Sequence, residues 1–232
     1  MGQRRTQPAG ADTSGPPQRQ RRPSWAQGLV LGTFLHPAGA DPNVPSLAFA
    51  EYAADRTWVA SHTLQLAGAV ALVGSLLLSF SGRPWRAHGA VAVGTATAAA
   101  TIAATAVLQA VDGIALNNMV DAWAAASGPE QQSLFSAAYA VRQVEIGLAA
   151  VSSTLGGASV LAYSCALALE PHTRRAIVWA GVLTGAATMA GAAAMAYTGF
   201  SSVAMAITMP AGIAMVAWVV AVAATAGKHA KT

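Results

Sequence analysis

Residues 176–227, AIVWAGVLTGAATMAGAAAMAYTGFSSVAMAITMPAGIAMVAWVVAVAATAG, run for 52 positions without one Asp, Glu, Lys or Arg. As a single helix this stretch would be roughly 78 Å long at about 1.5 Å per residue, against a hydrocarbon core about 30 Å thick. It must therefore cross and return. The reversal falls at Thr198-Gly199-Phe200-Ser201-Ser202, where Gly and Ser interrupt the Ala, Val and Met pattern. Three further charge-free stretches, 57–82, 87–111 and 146–169, are each long enough for one crossing. The pattern predicts an all-α polytopic integral membrane bundle with transmembrane helices near 58–80, 88–111, 145–169, 175–198 and 202–226, within a single domain over 25–232.

Composition points the same way. Of 232 residues 54% are hydrophobic and 9% charged, and mean hydropathy is +0.46; a soluble domain carries about 25% charged residues. An ordinary soluble enzyme is excluded, and the bilayer is an expected partner. The formal net charge is +4, but Arg4, Arg5, Arg19, Arg21 and Arg22 lie in a Pro/Gln/Gly-rich tail over 1–24 that reads as disordered. The basic balance belongs mostly to that tail, and no nucleic-acid partner is expected. Cys165 is the only cysteine, which excludes an internal disulfide and every multi-cysteine metal site.

After the tail, Trp25 to Leu35 is a short apolar segment ahead of His36-Pro37-Ala38-Gly39-Ala40. It has the outline of a cleavable signal peptide, or it is a short sixth crossing packed against the other helices. Charge placement favours the retained segment. Arg83 and Arg86, Arg174 and Arg175, and Lys228 and Lys231 all fall on one side of five crossings, while Asp41, Glu51, Asp55, Asp121 and Glu130 fall on the other. Lys and Arg mark the cytoplasmic side, so the C-terminus is expected in the cytoplasm. The tail arginines join that side only if the sixth segment crosses.

The stretch 112–144 is too long for a tight turn, and 117–123 and 134–141 read as helical, so the second and third helices are expected to extend past the membrane as an outward helical hairpin closing near Ser127-Gly128-Pro129. The pairs Gly181/Gly185 and Gly94/Ala98 have the small-xxx-small spacing that allows close helix approach.

Polar side chains at membrane depth mark sites or pairings, and here they gather at the outer end. His62 and Gln65 start the first predicted transmembrane helix, Gln109 and Asp112 end the second, and Arg142 and Glu145 start the third. A spacing of three puts each pair on one helix face. Asn117 and Asn118 follow Asp112, and Tyr197 ends the fourth helix. A polar cluster above apolar walls suits a small-molecule site. The plain alternative is structural: Arg142 paired with Asp112 or Glu145, His62 as an interfacial hydrogen-bonding residue, and Asn117, Asn118 and Asp121 as a wet face. Trp25, Trp58, Trp85, Trp123 and Trp179 fall near the membrane surfaces, where indoles anchor. Tyr163 reads as packing.

The sequence holds no His-Glu-x-x-His, Gly-x-Ser-x-Gly or P-loop pattern and no paired Asp for magnesium diphosphate. Trp58-Val59-Ala60-Ser61-His62 opening one helix, Val111-Asp112-Gly113 ending the next, then an outward segment and Arg142-Gln143-Val144-Glu145, resembles a group of small Ala-rich bacterial integral-membrane proteins. Some of these are membrane-bound terpene cyclases of the drimentine type, which cyclise a prenyl chain attached to another molecule. The resemblance covers roughly residues 57–170 and implies a prenylated small-molecule substrate in the bacterial cell membrane.

Protonation-initiated cyclisation needs a neutral acid aimed at an alkene or epoxide, a dry cavity and π faces for the cations. Asp112 is the candidate acid, because desolvation disfavours its charged form. Glu145 is the alternative acid, with Arg142 holding whichever carboxylate stays ionised. His62 and Gln65 would orient the acid or take the final proton. Gln109 and Asn117 would line the site, and Trp123, Tyr139 and Tyr197 would face the cation. This scheme needs no metal and no cofactor. The competing readings are a non-enzymatic carrier or accessory subunit, and a bis-His haem protein using His36 and His62.

Overall fold

The computed structural model describes residues 39–81 and 86–229, with side chains to residue 225. The tail over 1–24, the segment Trp25 to Leu35, His36 and Trp85 lie outside the described residues, and so does any sixth crossing. Every element among the described residues is helical. Asp41 starts the described chain with a local turn, its Oδ1 accepting the Asn43 N–H at 2.9 Å. Helix α1 (Pro45–Ala54) follows, with proline at a helix start where no amide hydrogen is needed. Asp55 accepts both the backbone N–H and the hydroxyl of Thr57 at 2.7 Å, which turns the chain into α2 (Trp58–Phe80).

Helix α3 (His88–Ala110) continues past Val111-Asp112-Gly113, as the expected extension into the hairpin requires. It widens into a π-helical turn (Val111–Leu116) and continues as α4 (Asn117–Ala125), an apolar rod of 38 residues in all. Glycine alone does not end a helix when tertiary packing holds it. Here Gly113 lets the turn lie directly on His62: a Cβ at Gly113 would sit 2.6 Å from the His62 Cβ. Helix α5 (Gly128–Ala168) begins with Gly128 at φ +63° and Pro129 in its first turn. Its 41 residues span roughly 62 Å at about 1.5 Å each, so half of the helix stands outside the hydrocarbon core. Helices α6 (Arg175–Thr198) and α7 (Ser202–His229) are joined at Gly199, also at φ +63°. Ser201 Oγ caps the turn by accepting the Ala204 N–H at 3.2 Å.

Five helices are long and apolar enough to cross a membrane: α2, the α3–α4 rod, α5, α6 and α7. Leu78, Leu183 and Ile213 are 67–76% exposed. Side chains of this kind have no place facing water in such number, and they face lipid. The chain is an integral membrane protein. Strict up-and-down order puts the starts of α2, α5 and α7 at the same end as the finishes of α3 and α6. The opposite end joins Arg86, whose N–H donates to Glu170 Oε1 at 3.2 Å, with Arg174 and Arg175.

Two cores form. The membrane core joins Leu72, Leu76 and Phe80 of α2 to Ala98, Val160, Tyr163 and Trp218. Tyr163 is fully buried, stacks on Phe80 at 4.0 Å and shares a hydrogen bond with Thr95 Oγ1 at 3.0 Å, so it packs as expected. Trp179, by contrast, is 63% exposed, as an interfacial anchor would be. The outer core joins Ala48, Phe49 and Tyr52 of α1 to Trp58, Leu116, Val120 and Ala138, which roofs the bundle.

Helices α5 and α6 meet at Gly157 and Gly185. A Cβ on either would sit 2.8 Å from the other's carbonyl oxygen. Gly181 faces Ser164 and Trp218, so both glycines of the 181/185 pair mark real crossings. Gly157→Ala is expected to destabilise the bundle by about 1–3 kcal/mol through overpacking. Gly74→Ala, with open space at its Cβ, is expected to leave stability unchanged or raise it by up to about 1 kcal/mol. Thermal unfolding of both variants in detergent checks the pair.

Candidate functional site

Trp58 organises the site. Its side chain is 1% exposed, and its indole N–H donates to the Asp112 backbone carbonyl at 3.0 Å, tying the start of α2 to the π turn. Its own carbonyl oxygen lies 2.7 Å from His62 Nδ1, and its ring lies against the imidazole at 4.5 Å, tilted by 31°. A carbonyl only accepts, so Nδ1 carries a hydrogen and Nε2 is left to meet Asp112 Oδ2 at 2.9 Å. One proton is shared across that contact. Either the carboxyl donates to a neutral imidazole or an imidazolium donates to the carboxylate.

Four of the residues singled out in the sequence therefore converge at one end of the bundle: His62, Asp112, Arg142 and Glu145. They pair differently from their spacing along the chain. His62 bonds Asp112 across helices. Gln109 Nε2 reaches Gln65 Oε1 at 3.5 Å across the same gap, one turn deeper. Arg142 and Glu145 do pair within one helix, Nη1 donating to Oε2 at 2.9 Å and to Oε1 at 3.1 Å, with both side chains buried. The guanidinium is held between the Tyr52 ring at 5.5 Å and the Phe200 ring at 4.8 Å, and its Nη2 donates to the Pro42 carbonyl at 3.5 Å. This pair therefore joins α1, α5 and the α6–α7 turn.

Tyr52 lies outside the spans. Burial pushes its hydroxyl up to about 12; nearby Arg142 opposes the shift, and Glu145 and Asp112 add to it. It stays a neutral phenol, its ring tilted against Trp58 at 4.3 Å.

The remaining residues stand apart. Asn117 Nδ2 donates to Asp121 Oδ2 at 3.2 Å on the exposed side of α4. Trp123 packs in the roof against Phe49 and Phe135, with both ring centroids 6.1 Å away. Tyr139 is 44% and Tyr197 91% exposed. The aromatic faces beside the His62–Asp112 pair are Trp58 and Tyr52 instead. Trp58 was legible as an aromatic four residues before a histidine, a spacing that shares one helix face; the membrane-anchor reading hid it. Nothing local marks Tyr52, because α1 reaches the site only through tertiary packing.

A cleft of about 130 Å³ opens between α2 and the end of α3. Val59, Leu66, Ala106, Ala110 and Ile114 form its apolar wall, and His62 and Gln109 are polar groups at it. Asp112 lies directly behind His62. Val59 and Ile114 are about half exposed, so the mouth faces the apolar flank of the bundle. Small-molecule pockets commonly hold about 300–1,000 Å³, so this cleft is small for a whole ligand. Among the described residues no group of three or more His, Cys, Asp and Glu is placed to hold a metal ion.

Comparison with protein-family models, with curated proteins and with solved structures gives no match for this chain. The functional reading rests on the geometry.

Removing one partner of a buried ion pair leaves the other charge uncompensated, at a cost of about 3–5 kcal/mol. Arg142→Met alone and Glu145→Leu alone are each expected to lose that much stability. The double variant is expected to recover most of it, since no unpaired charge remains. Unfolding of the three variants in mixed micelles reads the difference.

Proposed function

We propose that this protein is a membrane-bound terpene cyclase that protonates the end of a prenyl chain carried by an acceptor molecule. The observation that supports it is a carboxyl–imidazole pair immediately behind the wall of an apolar cleft whose mouth faces lipid. A prenyl chain partitions into lipid and would enter from that flank, its terminal unit filling the cleft. The acceptor stays outside, beside the hairpin of α4 and α5.

Asp112 acts as the acid. Its Oδ2 is engaged by His62, while Oδ1 accepts no hydrogen bond among the described residues. With His62 as an imidazolium donating to Oδ2, a second proton, carried on Oδ1, can leave without breaking a contact of the fold. Its transfer to the terminal alkene makes a tertiary cation; the next alkene attacks, closing a C–C bond and moving the cation along. Loss of a proton from the last cation to the Asp112–His62 pair forms a new alkene and restores the acid. The reaction is an isomerisation, with no change in mass. Glu145, locked to Arg142, serves to hold the site together.

The reading extends to orientation. Arg86, Arg174 and Arg175 mark the cytoplasmic side of a bacterial cell membrane, which puts the C-terminus in the cytoplasm and the site at the outer face.

The test incubates membranes containing the protein with prenylated acceptors bearing linear or epoxidised tails, followed by chromatography and NMR. Cyclic product is expected from the wild type. Asp112→Asn is expected to lower the rate by about 10²–10⁴-fold, the usual contribution of a positioned acid. No turnover by a folded wild-type protein would return the His62–Asp112 pair to a purely structural, helix-joining role.

A further inference from the structure

At the end of the bundle opposite the His62–Asp112 pair, the α2–α3 loop meets the α5–α6 loop at Glu170, whose Oε1 accepts the Arg86 backbone N–H at 3.2 Å. Arg86, Arg174 and Arg175 are all exposed there. Among the described residues Glu170 is the sole acidic side chain at this end, and no ion pair or side-chain hydrogen bond engages any of these guanidiniums. The corner therefore carries an excess of positive charge that the fold itself leaves unmatched.

Helix α6 continues the corner into the membrane. Arg175, Trp179 and Leu183 recur at intervals of four, which places them on one helix face, each about 6 Å below the last. Trp179 is 63% and Leu183 67% exposed, so this face is turned out of the bundle towards lipid. Guanidinium, indole and aliphatic chain follow one another in the order in which a phospholipid presents phosphate, glycerol and acyl chain. A guanidinium forks onto phosphate oxygens with two parallel N–H···O bonds, and an indole settles at the level of the headgroup boundary. A zwitterionic lipid brings its own ammonium to the phosphate and gains little from this corner. An anionic headgroup supplies the charge that it lacks.

We propose that the corner between the starts of α3 and α6 binds an anionic phospholipid. Its phosphate sits on Arg174 and Arg175, with Arg86 adding to the field, and its glycerol and first chain segments lie along Trp179 and Leu183. The site is independent of the cyclase reading, since it lies at the other end of the bundle and takes no part in the chemistry there.

The test reads Trp179 by quenching. The full chain is placed in nanodiscs of phosphatidylcholine containing a minor share of brominated-chain phosphatidylglycerol or, in parallel, of brominated-chain phosphatidylcholine. The Trp179 signal is the difference between wild type and Trp179→Phe. A basic residue at an anionic surface is worth about fivefold in affinity, so phosphatidylglycerol is expected to quench Trp179 at a lipid fraction at least about fivefold lower than phosphatidylcholine does. The double variant Arg174→Gln/Arg175→Gln is expected to bring the two lipids within about twofold. Arg56→Gln, which removes an exposed arginine from the opposite end, is expected to leave the preference unchanged. All of these arginines are exposed, and an unaltered thermal unfolding profile confirms that the variants fold. Equal quenching by the two lipids in the wild type, a preference that survives in the folded double variant, or one that falls as far in Arg56→Gln, overturns the proposal.

Discussion

Lipid offers a charged or strongly polar side chain no partner, so each such group carried into the bundle must find one inside the protein. That constraint shapes the end of the bundle that carries the site. His62 on α2 meets Asp112 on the π turn, Gln65 meets Gln109 one turn deeper, and Arg142 meets Glu145 on α5. Two of these contacts join α2 to the end of α3. The third is joined to α1 and to the α6–α7 turn by two aromatic rings and a carbonyl. The rest of the bundle is held by apolar packing, by the close approach at Gly157 and Gly185 and by hydrogen bonds between helices such as Thr95 with Tyr163 and the Trp218 indole to the Ile177 carbonyl, none of which specifies chemistry.

The π turn matters because of what it exposes. It presents the Asp112 carbonyl to the Trp58 indole and the Asp112 carboxyl to His62, and wide turns of this kind recur at functional sites. Trp58 acts on both partners at once, fixing the hydrogen on His62 Nδ1 through its carbonyl and fixing Asp112 through its N–H. The roof of α1 and the α4–α5 hairpin then limits water: Phe49, Leu116 and Val120 are fully buried above the pair. A proton held there is shared between two groups of the protein and close to an apolar cleft, a combination that suits delivery to a hydrocarbon.

Much of the fold was legible because membrane crossing is a problem of length and charge. The reversal at Gly199, the starts of α2, α3, α6 and α7, and the gathering of polar residues at one end all follow from where Asp, Glu, Lys and Arg are missing. The extension of α3 past the membrane was legible as well, from the helical reading of 117–123; the π turn at Gly113 was not, since nothing in the sequence shows that His62 presses against it. The site was legible as a set of residues and illegible as a set of contacts. Spacing of three shows which side chains share a helix face, yet His62 turned to Asp112 and Gln65 to Gln109 because facing helices offered better partners. Tyr139 and Tyr197 point away for a related reason: position at the right level says nothing about direction round the helix.

The His62–Asp112 contact is the claim on which the site depends, and its geometry can be measured without any substrate. Solid-state NMR of the protein in lipid, with ¹⁵N in histidine and ¹³C at the aspartate side-chain carboxyl, reports the separation by dipolar dephasing. A hydrogen-bonded pair predicts an Asp112 Cγ to His62 Nε2 distance below about 4 Å, with His62 Nδ1 at the shift of a protonated nitrogen and the signal lost in Asp112→Asn. A His62 ring with no dephasing from any aspartate, or with Nδ1 unprotonated, would contradict the account.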